Sequence, residues 1–543
     1  MYILGINGGF GGGYQDPCAC LYADGKIIAA VEEERLNKIK FSTAIFPLKS
    51  ICEVLSLGNI AIKDVSIVAF HGISWQAKIE DDIRSFFLHH FGFCPAIKRY
   101  HHHDAHAASS FYLSGFDEAL VITMDNSGDG ISSQIMIGKN GKLELLKNWQ
   151  RPNSFGTFYS CITQLAGFDR DSDEYKLMGL APYGNPKAYG FSKFIYNKEN
   201  GDYELNASYI YPIQPLQSFP NKQIPLYSQQ LLDELKIANS FSIKDTTIQK
   251  DLAASAQKHI EDVICEWINF WIEKTGLKNI CLAGGVAMNC VLNQKITERC
   301  NITNLFVPPF AGDQGISIGN AFLAGIENEI APNQEIFSAY SGRNYSTEEI
   351  EIILKHNNIS YKILDDVISN AAQYIADGKI IGWFQGKAEI GARALGNRSI
   401  LANPTIKGMK ENINKKIKFR DSFRPFCPSV LAEDFDVYFD SSLKEIPYMN
   451  TTVNCKPVAI TELPEIVHID NTARVQTVSS KNNAIFHQLL TELKKKTGHG
   501  VVLNTSLNVR NQPMAYDIND ALITLFTSGL DALFIENILI EKQ

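Results

Sequence analysis

Short apolar runs broken by glycine turns alternate with longer amphipathic stretches along this chain, which is the pattern of a mixed α/β protein. Residues 2 to 7 form an apolar strand followed by Gly8-Gly9-Phe10-Gly11-Gly12-Gly13. Two further apolar runs, 18 to 22 and 26 to 31, flank Ala23-Asp24-Gly25, and Asp-Gly in that position predicts an antiparallel hairpin. The hairpin rejects a dinucleotide fold despite the G-x-G-x-x-G spacing and Glu32 to Glu34 downstream, because that fingerprint needs a helix directly after the glycines. His101 to Ser110 have helix-compatible composition, and Ala119 to Met124 read as a buried strand ending in Asp125. Residues 251 to 274 predict an amphipathic helix closed by Gly276, with Trp267, Phe270 and Trp271 as core. Asn279 to Ala283 and Leu305 to Val307 each read as a strand running into a turn and a helix start. Residues 199 to 245 read as an insertion able to line a binding pocket, 325 to 345 as a linker, and Ile380 to Phe384 as a strand opening a region of different character.

Length and composition narrow the class. At 543 residues, two to four domains are expected, and 45% hydrophobic with 20% charged residues describe a globular protein. A net charge of −8 argues against a nucleic-acid binder with a diffuse basic surface. Eleven cysteines without a C-x-x-C pair read as reduced thiols rather than a zinc ribbon. No basic leader and no membrane-length apolar run are seen, so the expected location is cytoplasmic, without a membrane partner.

The candidate chemistry falls in two places. His102 and His106, four apart, share one helical face, and Asp125 arrives from a neighbouring strand end: a half-built site for a divalent cation. On spacing alone a histidine-rich surface helix competes equally. The turn Ala283-Gly284-Gly285-Val286-Ala287-Met288-Asn289 and the turn Gly312-Asp313-Gln314-Gly315 break the tie, because such turns bind phosphate groups and Asp313 supplies a fourth ligand. In the C-terminal part, Gln385 to Ser399, then Asn414, Lys415, Lys416, Lys418, Arg420 and the Phe423-Arg424-Pro425-Phe426 turn, and further on His468 to Gln476 and Val501 to Asn508, place cations and small hydroxyl or amide donors on strand ends and turns, which as a set suggests a compact anion site in an acidic chain. No Walker A sequence is present. The run Glu32-Glu33-Glu34-Arg35 reads as a solvated face.

These motifs carry a resemblance. The HHxxH stretch, the strand ending in Asp125, Lys176-Leu177-Met178-Gly179-Leu180-Ala181-Pro182-Tyr183-Gly184, AGGVAMN, GDQG, GARALGNRS and NTSLN resemble the NodU/CmcH carbamoyltransferase family from about residue 2 to about residue 540. The resemblance, together with the opening strand, glycine loop and hairpin, implies an actin-like duplicated α/β domain over 1–335 and a YrdC-like α/β domain over 345–543. It implies a metal (iron, zinc or manganese) on His102, His106, Asp125 and Asp313, and a nucleotide near Gly284, Gly285, Asn289, Glu174 and Lys40. It further implies that Arg393, Lys418, Arg424, Arg474, Asn504 and Ser506 bind carbamoyl phosphate and ATP phosphates, with Mg accompanying ATP and with Lys418 and Arg424 catalytic. The product, carbamoyl-adenylate, then serves a small-molecule hydroxyl acceptor, a sugar or natural product, and a homodimer is compatible. Family members commonly have His-Asp where this chain has Gln15-Asp16. Glutamine cannot act as a base, so Asp16 is the candidate for activating the acceptor. Two alternatives stand beside this reading: a small-molecule kinase of the actin-like class, and a non-catalytic nucleotide-binding scaffold.

Overall fold

The computed structural model describes residues 1–9, 15–74, 78–211, 224–237, 245–333, 337–420 and 423–542. Most of the glycine loop, and parts of the insertion expected at 199–245, therefore lie outside the described residues. Among the described residues, no helix is long and apolar enough to cross a membrane. The chain divides into two compact units: 1–30 with 41–337, and 31–40 with 338–543.

The first unit contains two five-stranded sheets of the same design. In the first, β1 (Tyr2–Asn7), β2 (Cys18–Ala23), β3 (Lys26–Glu32), β4 (Val65–His71) and β5 (Ala96–Tyr100) are ordered β3-β2-β1-β4-β5. β1 pairs antiparallel with β2 and parallel with β4, and β4 pairs parallel with β5. In the second, β6 (Glu118–Gly128), β7 (Ile131–Lys139) and β8 (Lys142–Gln150) precede a small ribbon of β9 (Ile195–Asn197) and β10 (Tyr203–Leu205), then β11 (Asn279–Ala283) and β12 (Asn304–Phe306). Here the order is β8-β7-β6-β11-β12, with β6 antiparallel to β7 and parallel to β11. One topology thus occurs twice without sequence repetition, as an actin-like architecture requires. The Asp24-Gly25 turn joins β2 to β3 as the alternation predicted, and β2 is buried throughout.

Six helices place the functional residues of this unit: α1 (His102–Phe111), α2 (Phe155–Leu165), α3 (Glu174–Leu180), α4 (Thr246–Thr275), α5 (Cys290–Arg299) and α6 (Gln314–Glu327). α4 starts five residues before the predicted helix and ends at Gly276, a left-handed cap. Trp267 and Trp271 are buried and both donate to the Gly201 carbonyl, at 3.0 and 3.2 Å. Phe270 is only half-buried. α6 packs against β1 and α1. At its crossing with α1, a Cβ on Gly319 would overlap the Ala105 carbonyl oxygen, so glycine sets the closeness of the two helices. That closeness carries Asp313, the residue before α6, up to the histidines of α1.

The second unit is an eight-stranded sheet. Its strands are β13 (Lys362–Ile363), β14 (Ile381–Phe384), β15 (Arg398–Ala402), β16 (Cys427–Leu431), β20 (Gln476–Val478), β21 (Val501–Ser506), β22 (Ala532–Ile535) and β23 (Ile538–Glu541). They run in the order β13-β23-β22-β14-β15-β21-β16-β20, beside a three-stranded sheet of β17 (Phe439–Asp440), β18 (Thr452–Cys455) and β19 (Thr472–Arg474). Separate apolar clusters pack in this unit, one around Trp383, Leu489 and Phe534 and one around Phe384, Ile400 and Leu503. β21 lies between β15 and β16, both antiparallel to it. Its C-terminal end is where the predicted anion-binding residues gather.

Gly319→Ala should destabilise the first unit by about 1–3 kcal/mol, since the intruding methyl meets backbone rather than a movable side chain. Urea unfolding measures this, and an unchanged midpoint would contradict the tight α1–α6 crossing.

Candidate metal centre and cation cluster

His101 accepts a hydrogen bond from the His103 backbone N–H at 3.2 Å and so caps α1. One turn of helix then stacks His102 over His106. His103 points elsewhere: its ring nitrogens meet Thr123 Oγ1 at 2.7 Å and the Ile131 carbonyl at 3.0 Å. The β6–β7 ladder loses register after Met124, and Asp125 sits at that irregularity with its side chain turned to α1. His102 Nε2 lies 3.1 Å from Asp125 Oδ2 and 3.1 Å from His106 Nε2. His106 Nε2 lies 3.3 Å from Asp125 Oδ2 and 3.4 Å from Asp313 Oδ1, while His102 Nε2 is 3.8 Å from Asp313 Oδ1. Ligand atoms about 2.1 Å from one ion in a tetrahedron stand about 3.4 Å apart, so these separations match a shared cation. All four ligand atoms lie within 4.8 Å of one another. Two imidazoles and two carboxylates fit a dication of borderline softness.

The electrostatics agree. Burial disfavours a charged His106, but hydrogen bonds and charge from Asp125 and Asp313 prevail and raise its pKa to about 9. Asp125, although buried, is held well below the usual carboxylate range by His102 and His106. In the metal-free chain a proton on His106 Nε2 therefore bridges the carboxylates, and a dication would displace it.

A surrounding shell fixes these groups. Asp129 accepts from the His102 backbone N–H at 2.9 Å and from Ser74 Oγ at 2.6 Å. A Cβ on Gly128 would enter the His102 ring. Asn7 Nδ2 donates to the carbonyls of Asp313, Gln15 and Asp16 at 2.9–3.0 Å, which brings the Asp16 backbone beside the fourth ligand. Gln15 Nε2 donates to the Asp171 carbonyl at 3.1 Å, so the residue standing in place of the family histidine ties two loops together. Asn126, next to Asp125, donates to Asp171 Oδ1 at 3.2 Å. Glu174 braces the same loop, accepting from the Asp171 backbone N–H at 2.7 Å and Ser160 Oγ at 2.6 Å. Burial raises its pKa, and Lys176 pairs with Asp173 instead.

Of the turn residues, Gly284 has φ 91°, and a Cβ on Gly285 would stand 3.1 Å from Asp125 Oδ1, so this turn lies directly against the metal ligands. Asn289 caps α5, accepting from Leu292 N–H at 3.0 Å, and its amide bonds Gln257 of α4. Sequence reasoning missed His71. It ends β4 with its ring 5.4 Å from that of His102, and burial, with His102 adding, pushes its pKa well below normal. The signal was available: an apolar run, Val65 to Phe70, ending in a polar residue before a glycine.

In the second unit, Lys418 is buried on a helical turn, and its Nζ donates to Ser506 O (2.5 Å), Asn508 Oδ1 (2.6 Å), Asn508 O (3.0 Å) and Ser506 Oγ (3.3 Å). Its pKa is pushed well down by burial and then by Arg420, Arg424 and Lys40, so every charge acting on it is positive. Lys40 belongs to this unit. Asn504 donates to Ser429 Oγ at 3.0 Å and the Ala394 carbonyl at 3.2 Å, stitching three segments together. Arg474 Nε reaches Cys427 Sγ at 2.9 Å, and Cys427 pairs with Asn504 in the ladder.

The turn bearing Arg393 is pinned from both sides. Glu389 Oε1 accepts from the N–H groups of Leu395, Asn397 and Arg398 at 2.8–3.0 Å, and Glu32 Oε1 accepts from Gly391 N–H at 2.7 Å. This corrects the expectation of a solvated charge run at 32–35: Glu32, Glu33 and Arg35 are buried, and Arg35 donates to the Gly391 carbonyl at 2.8 Å. The second arginine of the same motif, Arg398, is wholly buried against Phe384 at 3.5 Å. It donates to four backbone carbonyls, and burial lowers its pKa to about 10. The structure therefore gathers the Arg393 turn, Lys418, Arg474, Asn504 and Ser506 around one end of β21, with Arg424 close enough to act on Lys418.

A duplicated α/β unit holding a His/Asp quartet, its two imidazoles buried, is joined in one chain to a unit with clustered cations. Its sequence matches the family pattern described as Carbamoyltransferase N-terminus over residues 89–322 and that described as Carbamoyltransferase C-terminus over 372–542. It is 34% identical to the nodulation protein NolNO of Sinorhizobium fredii, over 100% of this chain and 83% of that protein. It is also 34% identical to the nodulation protein NolO of Bradyrhizobium diazoefficiens, over 81% of this chain and 79% of that one. A solved structure of full-length HypF in a phosphate- and nucleotide-bound form aligns with 60% of this chain and 46% of its own, at 14% identity and a TM-score of 0.38. The chain belongs to the carbamoyltransferase family.

Because metal must compete with the His106 proton, apparent affinity for a divalent ion should rise about tenfold per pH unit up to about pH 9 and level off above it. Titration calorimetry at several pH values checks the slope. Gly128→Ala should weaken metal binding by about tenfold or more through the His102 ring, read by elemental analysis after dialysis.

Proposed function

We propose that this chain is an O-carbamoyltransferase that makes carbamoyl-adenylate in its second unit and spends it in its first. The observation that carries the proposal is the convergence of His102, His106, Asp125 and Asp313 inside the part of the chain that matches the family's N-terminal half. The cations surrounding Lys418 support the donor-activating step.

In the second unit, taken as a YrdC-like domain, carbamoyl phosphate loses phosphate to water, and the resulting carbamate displaces pyrophosphate from ATP·Mg. Arg393, Arg424 and Arg474 hold the phosphate oxygens, where guanidinium forks are suited to paired acceptors. Lys418 holds the 506–508 loop through its four acceptors and contributes the positive field that favours charge developing on the leaving group. Burial, and after it the like charges of Arg420, Arg424 and Lys40, lower the Lys418 pKa, and a bound polyanion would offset those like charges.

In the first unit, the backbone turns at Gly284-Gly285 and Asn289 receive the adenylate. Iron, zinc or manganese on the quartet, when bound, supplies Lewis-acid polarisation of the group under attack. The acceptor is the hydroxyl of a sugar or natural product; its attack on the carbamoyl carbon expels AMP and leaves the carbamate ester. Asp16, whose backbone shares the Asn7 amide with Asp313, takes the hydroxyl proton.

The test is pyrophosphate release from ATP with and without carbamoyl phosphate. Release should require both, and release without carbamoyl phosphate, or ADP formation instead, would overturn the reading. Lys418→Ala should cut pyrophosphate release by about 100-fold or more. His106→Ala should leave that release intact while blocking transfer of labelled carbamoyl to an acceptor, and loss of the first activity in His106→Ala would refute the division between units.

A further inference from the structure

Behind the turn that carries Asn289, side chains from α2, α4 and the start of α5 close a hydrogen-bonded set. Gln257 of α4 is buried, and both donors and both acceptor positions of its amide are in use. Its Oε1 accepts from Tyr159 OH at 2.7 Å and from Asn289 Nδ2 at 3.0 Å. Its Nε2 donates to Glu261 Oε1 at 2.7 Å and reaches Asn289 Oδ1 at 3.3 Å. Tyr159 of α2 and Glu261 of α4 are buried too, whereas Asn289 is half-buried.

An amide can be turned over with little change of shape, exchanging donor for acceptor, but here the partners forbid it. An ionised Glu261 only accepts, so the Gln257 N–H groups must face it. Gln257 Oε1 then faces Asn289, which must answer with its own N–H. The cap agrees from the other side, since the Leu292 N–H donates to Asn289 Oδ1 at 3.0 Å. One Nδ2 hydrogen of Asn289 is thereby committed to Gln257, and the other meets no acceptor among the described residues.

We propose that Gln257 and Glu261 are positioning residues for the nucleotide, holding the Asn289 amide so that its second N–H is a fixed donor to the nucleoside part of the adenylate. This rests on the reading of the Gly284–Asn289 turn as the seat of the adenylate. The ends of that turn divide the ligand. A Cβ on Gly285 would stand 3.1 Å from Asp125 Oδ1, so the Gly285 end faces the metal ligands and the reacting group. Asn289 lies one short helical turn further on, where the nucleoside follows. A donor held in place before binding spares the ligand the cost of ordering it.

The test uses the full-length chain and labelled AMP in equilibrium dialysis at pH 8. Burial raises the Glu261 pKa to about 7 against the pull of Gln257, so the carboxyl is ionised there. Asn289→Asp keeps an oxygen for the Leu292 cap but removes the donor, and should abolish one class of AMP sites. Gln257→Leu should weaken that same class by about tenfold, the effect of an unguided amide, with zinc affinity unchanged. Glu261→Leu should match it, while Glu261→Gln, which can still turn an amide oxygen to Gln257, should stay within about threefold of wild type. Unchanged AMP binding in Asn289→Asp would end the nucleotide reading of the turn, and the proposal with it. A class lost in Asn289→Asp but intact in Gln257→Leu would overturn the proposal alone. Equal losses in Glu261→Gln and Glu261→Leu, or zinc affinity falling in step with AMP affinity, would do the same. The Glu261 pair decides the matter if Gln257→Leu fails to fold.

Discussion

Two carboxylates and two imidazoles cannot be buried within a few ångströms of each other unless a positive charge lies among them. The first unit is arranged around that constraint. Asp125 leaves the β6–β7 ladder where pairing breaks, Asp313 is delivered by the close crossing of α6 over α1, and the histidines come from a single turn. The α6 N-terminus adds its own partial positive charge beside Asp313. Neighbouring groups bond backbone rather than the ligand atoms, so they hold position without competing for the ion: Asp129 grips the His102 amide and Asn7 the Asp313 carbonyl.

The second unit faces the opposite difficulty. Lys418 is buried with positive neighbours, and Arg398 is buried with no charge touching its guanidinium more closely than backbone carbonyls. Both are held by oxygen atoms of neighbouring segments: Lys418 by Ser506 and Asn508, and Arg398 by the carbonyls of Arg343, Gln385, Gly386 and Asn397. Glu389 does the reverse, filling a ring of three backbone N–H groups that would otherwise attract an anion from outside. Conformation here is set by neutral dipoles wrapped around ions.

Much of the first site was legible because its signals are local. The i, i+4 histidines, the apolar strand ending in Asp125 and the Gly312-Asp313 turn can each be read within a dozen residues, as can the Asp24-Gly25 hairpin. The second site was legible as a set but less so residue by residue. The chemistry of Asn504 is readable from its residue type, but only its place on β21 shows that its amide bonds Ser429 and Ala394. The run at 32–35 has the composition of a surface, yet its charges close on one another and on Gly391. Polarity alone does not tell a solvated group from a buried one that has found its partner.

Sequence by itself determined which elements form, where they turn, and which residue types stand at the turns, since periodicity, capping and glycine placement act over a few residues. It also carried the family, through motifs spread over both halves. Tertiary structure alone decided that Asp313 meets residues two hundred positions earlier, that His71 joins the His102 ring, that Gln15 is a tether, and that Lys40 acts on Lys418. Those outcomes depend on how sheets and helices approach in space. An approach distance is set jointly by two surfaces, as at Gly319 and Ala105, and neither surface encodes it alone.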